Sequence, residues 1–591
     1  MSARERAESW IAHDPDPSSR AELEALLSAA RGGDAEAERD IGERFSGPLE
    51  FGTAGLRGVL GAGESRMNIA VIRRTAHGLG KYLLEKYPES APLGVAVGYD
   101  GRRFSRVFAE TTASVLAALG IPTYLSPTLC PTPVTAFAVS RIGAAAGVMV
   151  TASHNPPEYN GFKVYWQNGA QIIPPHDTGI AAAIAAAPPA DEVPTLAFED
   201  ARERGLVREF PSDLEDSYLA RVQALSLQRA GDRDAPIVHT SLHGVGDRMV
   251  RETLRRAGFT DVRPVAAQAE PNGDFPTVAF PNPEEKGALD LAIALAEESG
   301  ADLIIANDPD VDRLAIAVRN PETRKFTQLT GNQVGVLLGH YLLTEVADPS
   351  SRQGTADRLV IATCVSSPQL GAIARALGVH YEETLTGFKW ITNRAMELER
   401  LEGKRFVFGY EEALGYTVGS LVRDKDGISA ALLFAELWAV RRAQGKTIFD
   451  ELERIARTYG CFVSGQRSIT MKGKDGLSRI QSVMSSLRER PLAEMAPLSV
   501  VGRSDIKNGV RLRSSGETTK LRLPSSDVLI YDLAGDSRII ARPSGTEPKL
   551  KIYIDVREPI AEGEAVTVAE VRANHRLDEI LGAFLRVAGL D

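Results

Sequence analysis

A chain of 591 residues, 43% hydrophobic and 25% charged, exceeds what one hydrophobic core supports and is expected to divide into three or four domains. Its formal net charge of -10, with no long basic run, argues against nucleic acid as a partner, because nothing in it would neutralise a phosphate backbone. Cys130, Cys364 and Cys461 are far apart and lack CxxC spacing, which points away from a disulfide framework or a zinc site and towards a reducing, cytoplasmic setting.

The first twenty residues are charged and interrupted by Asp14-Pro15-Asp16-Pro17, so they offer no apolar run for a signal peptide or a membrane span. A polar helical stretch is expected from Ala21 to Arg44. From there a pattern recurs: a short apolar strand, a loop of Gly, Asp or Ser, then a longer helical stretch, which reads as α/β. Leu93 to Val97, Ala235 to Val238 and Leu359 to Ala362 open similar units and suggest an internal three-fold repeat. The intervening stretches Val107 to Leu119 and Ala288 to Ala296 carry apolar residues at helical spacing, as crossovers between parallel strands require. The Ala/Pro-rich segment Ile180 to Pro194 reads as a helix running into a loop, or as a flexible excursion. Beyond Arg457 strand-like pieces (Phe462 to Ile469, Val528 to Leu533, Leu550 to Val556) precede an apolar helix, the mark of an α+β terminal domain. Clusters of Pro, Asp and Glu near Phe210, between Arg319 and Lys325, and between Gly445 and Arg454 give the expected domains 1–210, 211–322, 323–448 and 449–591.

Five segments carry residues suited to chemistry. Phe51-Gly-Thr-Ala-Gly-Leu-Arg-Gly58 is glycine-rich with a single arginine, Arg57. Thr151-Ala-Ser-His-Asn-Pro156 follows the apolar run Gly147 to Val150 and precedes Lys163; a local turn accounts for these letters, and so does a serine whose nucleophilicity depends on the nearby imidazole of His154 and on Lys163. Asn307-Asp-Pro-Asp-Val-Asp-Arg313 follows the strand Leu303 to Ala306. Residues two apart in an extended segment point the same way, so Asp308, Asp310 and Asp312 can converge on one hard cation, and an all-carboxylate set suits magnesium. An EF-hand is excluded, since its sixth and twelfth positions would be Arg313 and Arg319. An aspartyl-phosphate phosphohydrolase also begins Asp-x-Asp after a strand, and a solvated acidic turn is a further reading. Phe408-Gly-Tyr-Glu-Glu-Ala-Leu-Gly-Tyr416, followed by Arg423-Asp-Lys-Asp-Gly427, offers carboxylates to sugar hydroxyls, or an acidic start to a helix. Arg542-Pro-Ser-Gly-Thr-Glu-Pro548 combines Arg, hydroxyls and a bare backbone as a phosphate cradle would, or as a Pro-Ser-Gly turn would. Gly445-Lys-Thr447 lacks the first glycine of a P-loop and reads as a helix end.

Taken in order, Gly52-Thr-Ala-Gly-Leu-Arg57, Thr151-Ala-Ser-His-Asn-Pro156, Asp308-Pro-Asp-Val-Asp-Arg313, Glu411-Glu-Ala-Leu-Gly415 and Arg542-Pro-Ser-Gly-Thr546 resemble the signature segments of the α-D-phosphohexomutase superfamily, over nearly the whole chain. The resemblance implies three related α/β domains and a C-terminal α+β phosphate-binding domain around a central cleft. It implies interconversion of a sugar 1-phosphate and a sugar 6-phosphate, glucose first, with phosphopentomutase or phosphomannomutase activity as alternatives. Ser153 would carry the phosphoryl group and, with Asp308, Asp310 and Asp312, hold Mg2+. Lys163 would be the general base, beside His154 and Arg57. Arg313, Thr386, Gly387, Lys389, Glu411 and Lys425 would contact the sugar phosphate, and Arg542, Ser544, Gly545 and Thr546 the phosphate that is not reacting. A sugar 1,6-bisphosphate would serve as activator and intermediate. The expected partners are small sugar phosphates, with no nucleic acid and no membrane, for a monomer or homodimer. One position departs from the pattern: Ala413 stands where many phosphoglucomutases have serine, which removes a hydroxyl from the sugar loop, and the loop as it stands resembles the branch that includes phosphopentomutases and sugar-bisphosphate synthases as well as glucose enzymes. A phosphatase with Asp308 as nucleophile, and a silent sugar-phosphate binder, are the competing functions.

Overall fold

The computed structural model describes all residues except 229, 346–354, 472–474, 491–493, 496, 545–548 and 591. Two compact units form, Met1–Leu329 with Gly415–Val440, and Thr330–Leu414 with Arg441–Asp591.

In the first unit the polar N-terminal stretch makes three helices rather than one: Ala3–His13, Pro17–Arg31 and Ala35–Arg44. The first, not anticipated, starts with a capping box between Ser2 and Glu5, and Asp16 and Asp34 cap the others. The break after Arg31 falls at Gly33, which adopts φ +94°. These helices bury their own small core of Leu23, Leu27, Ile41 and Phe45.

The first α/β sheet runs Leu56–Val59, Tyr159–Trp166, Ala146–Val150, Val95–Tyr99, Thr123–Leu125, Val207–Glu209. The second runs Phe326–Gln328, Ala315–Arg319, Leu303–Ala306, Ile237–Thr240, Val262–Pro264. In the second unit His380–Thr384 and Arg405–Glu411 flank Arg358–Thr363, both parallel to it. The expected three-fold repeat is therefore real. Val95–Tyr99, Ile237–Thr240 and Arg358–Thr363 are the strands from which it was read, and each is the central strand of its repeat, with the next two strands in sequence parallel on either side. All of their residues are buried, as those of parallel strands covered on both faces are. In each repeat a polar loop follows the last of these three strands: Thr151 to Glu158 after Ala146–Val150, Asn307 to Leu314 after Leu303–Ala306, and Glu412 to Leu414 after Arg405–Glu411. Each loop carries one non-glycine residue at positive φ, Ser153 (+53°), Val311 (+65°) and Leu414 (+63°). The serine, aspartate and glutamate segments are thus three versions of one structural position.

The C-terminal part of the second unit is an antiparallel sheet in the order Cys461–Thr470, Lys549–Glu558, Ser537–Pro543, Leu529–Leu533, Leu498–Asp505, Val510–Arg513, Thr518–Lys520, covered by the helix Val566–Ala588, in keeping with the α+β expectation.

Several local segments take a definite form, some as expected and some not. The segment from Arg319 to Lys325, expected as a domain boundary, is the turn of a hairpin between Ala315–Arg319 and Phe326–Gln328. There the Asn320 side chain accepts hydrogen bonds from the backbone N–H groups of Glu322 and Thr323, and turn chemistry of this kind uses the same letters as a linker. Between Gly445 and Arg454, Gly445 closes the helix Gly427–Ala443 at φ +69° and Thr447 opens Ile448–Tyr459 with a capping box to Asp450. The Ala/Pro-rich segment is the helix His176–Ala185 followed by an irregular loop. Phe408 to Tyr416 is not a helix start: Glu411 ends a strand and Gly415 begins the next. No helix among the described residues is long and apolar enough to cross a membrane.

Candidate active site

The sequence-derived residues fall in two groups, one in each unit. In the first unit, the strand Ala146–Val150 delivers Ser153 into a buried turn, and the adjacent antiparallel strand, with Lys163 opposite Met149, brings the lysine alongside. Ser153 holds its positive φ with its N–H donating to Thr151 Oγ1 at 2.8 Å. Its hydroxyl donates to Asp308 Oδ2 at 2.8 Å and shares a hydrogen bond with His154 Nδ1 at 3.1 Å. Burial, then the positive charges of Arg313 and Arg57, pushes His154 well below the usual imidazole range, which leaves it neutral. Arg57, on the strand Leu56–Val59, donates to Asn155 Oδ1 at 3.0 Å in the serine loop. That strand lies close because Gly55, at φ +77°, has no side chain to collide with the Phe162 carbonyl.

Asp308, Asp310 and Asp312 are all buried and each offers an oxygen to one common point. Burial, and then the charges of Asp310 and Asp312, hold Asp308 well above the usual carboxylate range. Burial also opposes ionisation of Asp310 and Asp312; Lys163, 2.7 Å from Asp310 Oδ2 and 2.9 Å from Asp312 Oδ2, does most to keep Asp310 low, and acts with Lys425 and Arg313 to keep Asp312 low. Thr132 donates to Asp310 at 2.7 Å, and Lys425 lies 3.3 Å from Asp312 Oδ2. Arg313 places Nε 3.8 Å from Asp308 and 3.9 Å from Asp312, and donates its backbone N–H to Asp308 Oδ1 at 3.0 Å. After this pairing, Asp310 Oδ1 and Asp312 Oδ1 remain buried without a hydrogen-bond partner. Orphaned buried carboxylate oxygens are costly, and two of them in an all-oxygen donor set fit a hard divalent cation. Lys163 is the residue such a cation would relieve: burial favours its neutral amine, and the charges of Asp310 and Asp312, with a smaller contribution from Asp424, raise it above the usual lysine range.

Lys425 is held in place by its neighbours. Asp424 accepts from Tyr165 and Gln171, both at 2.8 Å, and Asp426 accepts from Tyr218 at 2.8 Å while capping the helix that starts at Gly427. These bonds tie Gly415–Val440 to the first compact unit.

Sequence reasoning did not single out Arg102. Buried at the end of the strand Val95–Tyr99, it donates to the carbonyls of Ser153 (2.6 Å), Pro156 (2.9 Å), Tyr159 (3.2 Å) and Asn155, pairs with Asp100 at 3.4 Å, and lies over the ring of Phe275. One guanidinium therefore fixes the whole serine loop from behind. The signal that could have found it is an Asp-x-Arg pair placed directly after a fully buried strand, where charge needs an internal partner.

In the second unit Thr386 and Gly387 (φ +103°) form the turn into the helix Phe388–Glu402, with Lys389 in its first turn. Glu411 ends its strand half-buried. Glu412, expected from the sequence as one of two paired acids offered to sugar hydroxyls, accepts instead from Thr363 Oγ1 at 3.2 Å and Ser366 Oγ at 3.1 Å. Burial, then the charge of Glu411, lifts its carboxyl to about 6. Arg542 and Ser544 stand at the end of the strand Ser537–Pro543, where the Ser544 N–H donates to Lys549 O at 2.7 Å. Gly545 and Thr546 lie outside the described residues.

Sequence profiles described as "Phosphoglucomutase/phosphomannomutase", alpha/beta/alpha domains I, II and III and C-terminal domain, match residues 48–190, 216–322, 330–459 and 529–573 in that order. A protein named "Probable phosphomannomutase" from Haemophilus influenzae is 42% identical over 83% of this chain and 93% of its own length. A "Probable phosphoribomutase" from Schizosaccharomyces pombe is 37% identical over 96% of both chains. The crystal structure of a putative phosphomannomutase from Thermus thermophilus superposes with a TM-score of 0.63 at 24% identity, over 90% of this chain and 99% of that one, and so shares the fold.

Proposed function

Because the chain belongs to the phosphoglucomutase/phosphomannomutase family and is a phosphosugar mutase, we propose that it moves the phosphoryl group between the 1-hydroxyl and the terminal hydroxyl of a sugar phosphate by way of a phosphorylated Ser153. The observation that carries this reading is the serine hydroxyl itself, strained onto a buried turn 2.8 Å from Asp308. Asp308 is the weaker candidate for nucleophile, since its Oδ2 already accepts from Ser153 and its Oδ1 from the Arg313 N–H. In the first half-reaction the free sugar hydroxyl attacks phosphorus, the bond from phosphorus to Ser153 Oγ breaks, and Lys163 takes the hydroxyl proton once Asp310 and Asp312 no longer hold it charged. His154, Arg57 and Arg313 line the transferring group. The bisphosphate so formed returns its other phosphate to Ser153, and a sugar 1,6-bisphosphate primes a serine that starts unphosphorylated. In the second unit Thr386, Gly387, Lys389 and Glu411 orient the ring, and Arg542, Ser544, Gly545 and Thr546 hold the second phosphate. Lys425, 3.3 Å from Asp312 Oδ2, is a further substrate ligand in this reading. Buried, unpaired Cys130, Cys364 and Cys461 suit a reducing cytoplasm.

Asp308, Asp310 and Asp312 would hold Mg2+ together with an oxygen of the phosphorylated serine. When bound, the ion supplies charge neutralisation at the transferring phosphoryl group. Mg2+ at a hundred times its Kd is expected to stabilise the protein by about 2.7 kcal/mol, read as a rise in melting temperature that EDTA reverses together with turnover. A melt indifferent to Mg2+, or full turnover in EDTA, removes the metal from the proposal.

Glucose 1-phosphate is the first substrate to test, in a coupled assay for glucose 6-phosphate with Mg2+ and a trace of glucose 1,6-bisphosphate. Ala413 favours a second reading, a pentose phosphate, because the sugar loop lacks the hydroxyl that would satisfy one more sugar group. The named phosphoribomutase relative, which aligns over 96% of this chain, supports that reading. Comparing kcat/KM for glucose 1-phosphate, mannose 1-phosphate and ribose 1-phosphate decides between them: a ribose preference of tenfold or more, about 1.4 kcal/mol, displaces glucose. Turnover on none of the three, with Ser153 phosphorylated, sinks the substrate assignment altogether.

A further inference from the structure

Arg538 is a buried guanidinium on the strand Ser537–Pro543, four residues before Arg542. It directs its donors three ways. Nε donates to Asp555 at 2.8 Å on the neighbouring C-terminal strand, Nη1 to Glu383 at 2.9 Å on the strand that leads into Thr386 and Gly387, and Nη2 to the carbonyl of Ser366. Ser366 in turn has its hydroxyl 2.7 Å from that of Thr363 and donates to Glu412 at 3.1 Å, while the Glu412 N–H donates back to Ser366 Oγ at 3.1 Å. On its other side the Glu412 carbonyl rests on the first turn of the helix Gly331–Thr344, so close that a side chain at Gly331 would overlap it.

Glu411 has a different environment from its neighbour. No hydrogen bond or ion pair joins its carboxylate to another described residue, whereas Glu412 is tied at both backbone and side chain. A side chain with no internal partner can meet a ligand, and one with several is fixing the backbone that carries it.

We propose that Glu412 is a positioning residue for sugar-phosphate binding: anchored on Thr363 and Ser366, and through the Ser366 carbonyl on Arg538, it sets the reach of Glu411 in register with the strand that presents Arg542. The same guanidinium, through Glu383, reaches the Thr386 turn, so one buried cation ties the ring-orienting loops to the start of the phosphate cradle. The ring and the distal phosphate are then gripped by parts whose spacing is built in before substrate arrives, which lowers the ordering that binding has to impose. This inference rests on the mutase reading of the same loops.

The test compares Glu412→Ala, Glu412→Gln and Ser366→Ala with wild type, by steady-state kinetics on the preferred sugar 1-phosphate and by calorimetric binding of glucose 1,6-bisphosphate. Glu412→Ala and Ser366→Ala are each expected to raise KM about tenfold with kcat within about threefold of wild type. Glu412→Gln keeps an acceptor for both hydroxyls and is expected to recover most of that loss. An unchanged KM in Glu412→Ala, or a Glu412→Gln variant as impaired as the alanine, overturns the positioning role. Ser366→Ala guards against misfolding of the bulkier deletion, since it removes one oxygen atom. If wild type binds the bisphosphate but turns over no sugar phosphate, the mutase reading fails, and the ratio of dissociation constants still decides the role of Glu412.

Discussion

Ser153→Ala is expected to lower turnover by at least about a thousandfold, with no inorganic phosphate released and no phosphorylated peptide recoverable from the 151–156 segment. The substitution removes one oxygen from a turn whose shape is fixed by other groups, the Thr151 hydroxyl at the Ser153 N–H and Arg102 at its carbonyl, so the fold and the carboxylate cluster stay in place. Alanine at positive φ adds little strain that serine did not already carry, since both have a Cβ. The loss is therefore chemical. A phosphatase acting through Asp308 predicts the reverse: Ser153→Ala retains turnover and phosphate appears in solution. Mass spectrometry of the peptide, with a phosphate-release assay alongside the mutase assay, separates the two. Phosphate release surviving in Ser153→Ala would overturn the serine relay.

How far the site could be read in the sequence follows from what each residue's partner is. Ser153, Asp308, Asp310 and Asp312 announce themselves because polar residues interrupt an apolar strand at the same point in successive repeats, and chain order alone places that point at the end of each repeat's third strand. Lys163 is legible because an antiparallel neighbour is close in sequence. Arg102 was missed because its partners are backbone carbonyls about fifty residues away, and a carbonyl has no letter. Glu412 was given the same role as Glu411 for a related reason: two adjacent glutamates look alike in sequence, and only the Thr363 to Ser366 turn shows which one is tied. The three α/β units and the α+β end were readable from periodicity, whereas the turn from Arg319 to Lys325 was read as a boundary because Asn, Pro and Glu serve hairpin turns and linkers equally. Gly415–Val440 joins the first unit through side-chain bonds of Asp424, Lys425 and Asp426, long-range pairings that local pattern does not encode.

Arg102→Met is the substitution expected to cost most outside the reacting groups. It deletes the cation of a buried pair and leaves the Asp100 carboxylate to neutral donors such as the Ser105 hydroxyl at 2.7 Å and the residue-102 N–H at 3.0 Å. Breaking a buried pair from one side costs about 3–5 kcal/mol, and the carbonyls of Ser153, Asn155, Pro156 and Tyr159 lose their common donor besides. The serine loop then has less to hold its positive-φ turn, and a displacement of Ser153 by about 1 Å lowers kcat about a hundredfold. Stability and positioning are separable. In the double variant Asp100→Asn, Arg102→Met no charge is left stranded, so most of the melting temperature is expected to return, while kcat stays low because no donor has been restored to the loop. Arg102→Lys keeps the charge opposite Asp100 but has one compact head where four carbonyls converge, and it should keep stability better than kcat. The rate at which glucose 1,6-bisphosphate phosphorylates Ser153, followed by mass spectrometry, reports the loop directly. A double variant that phosphorylates and turns over as wild type does would show that Arg102 neutralises Asp100 and nothing more.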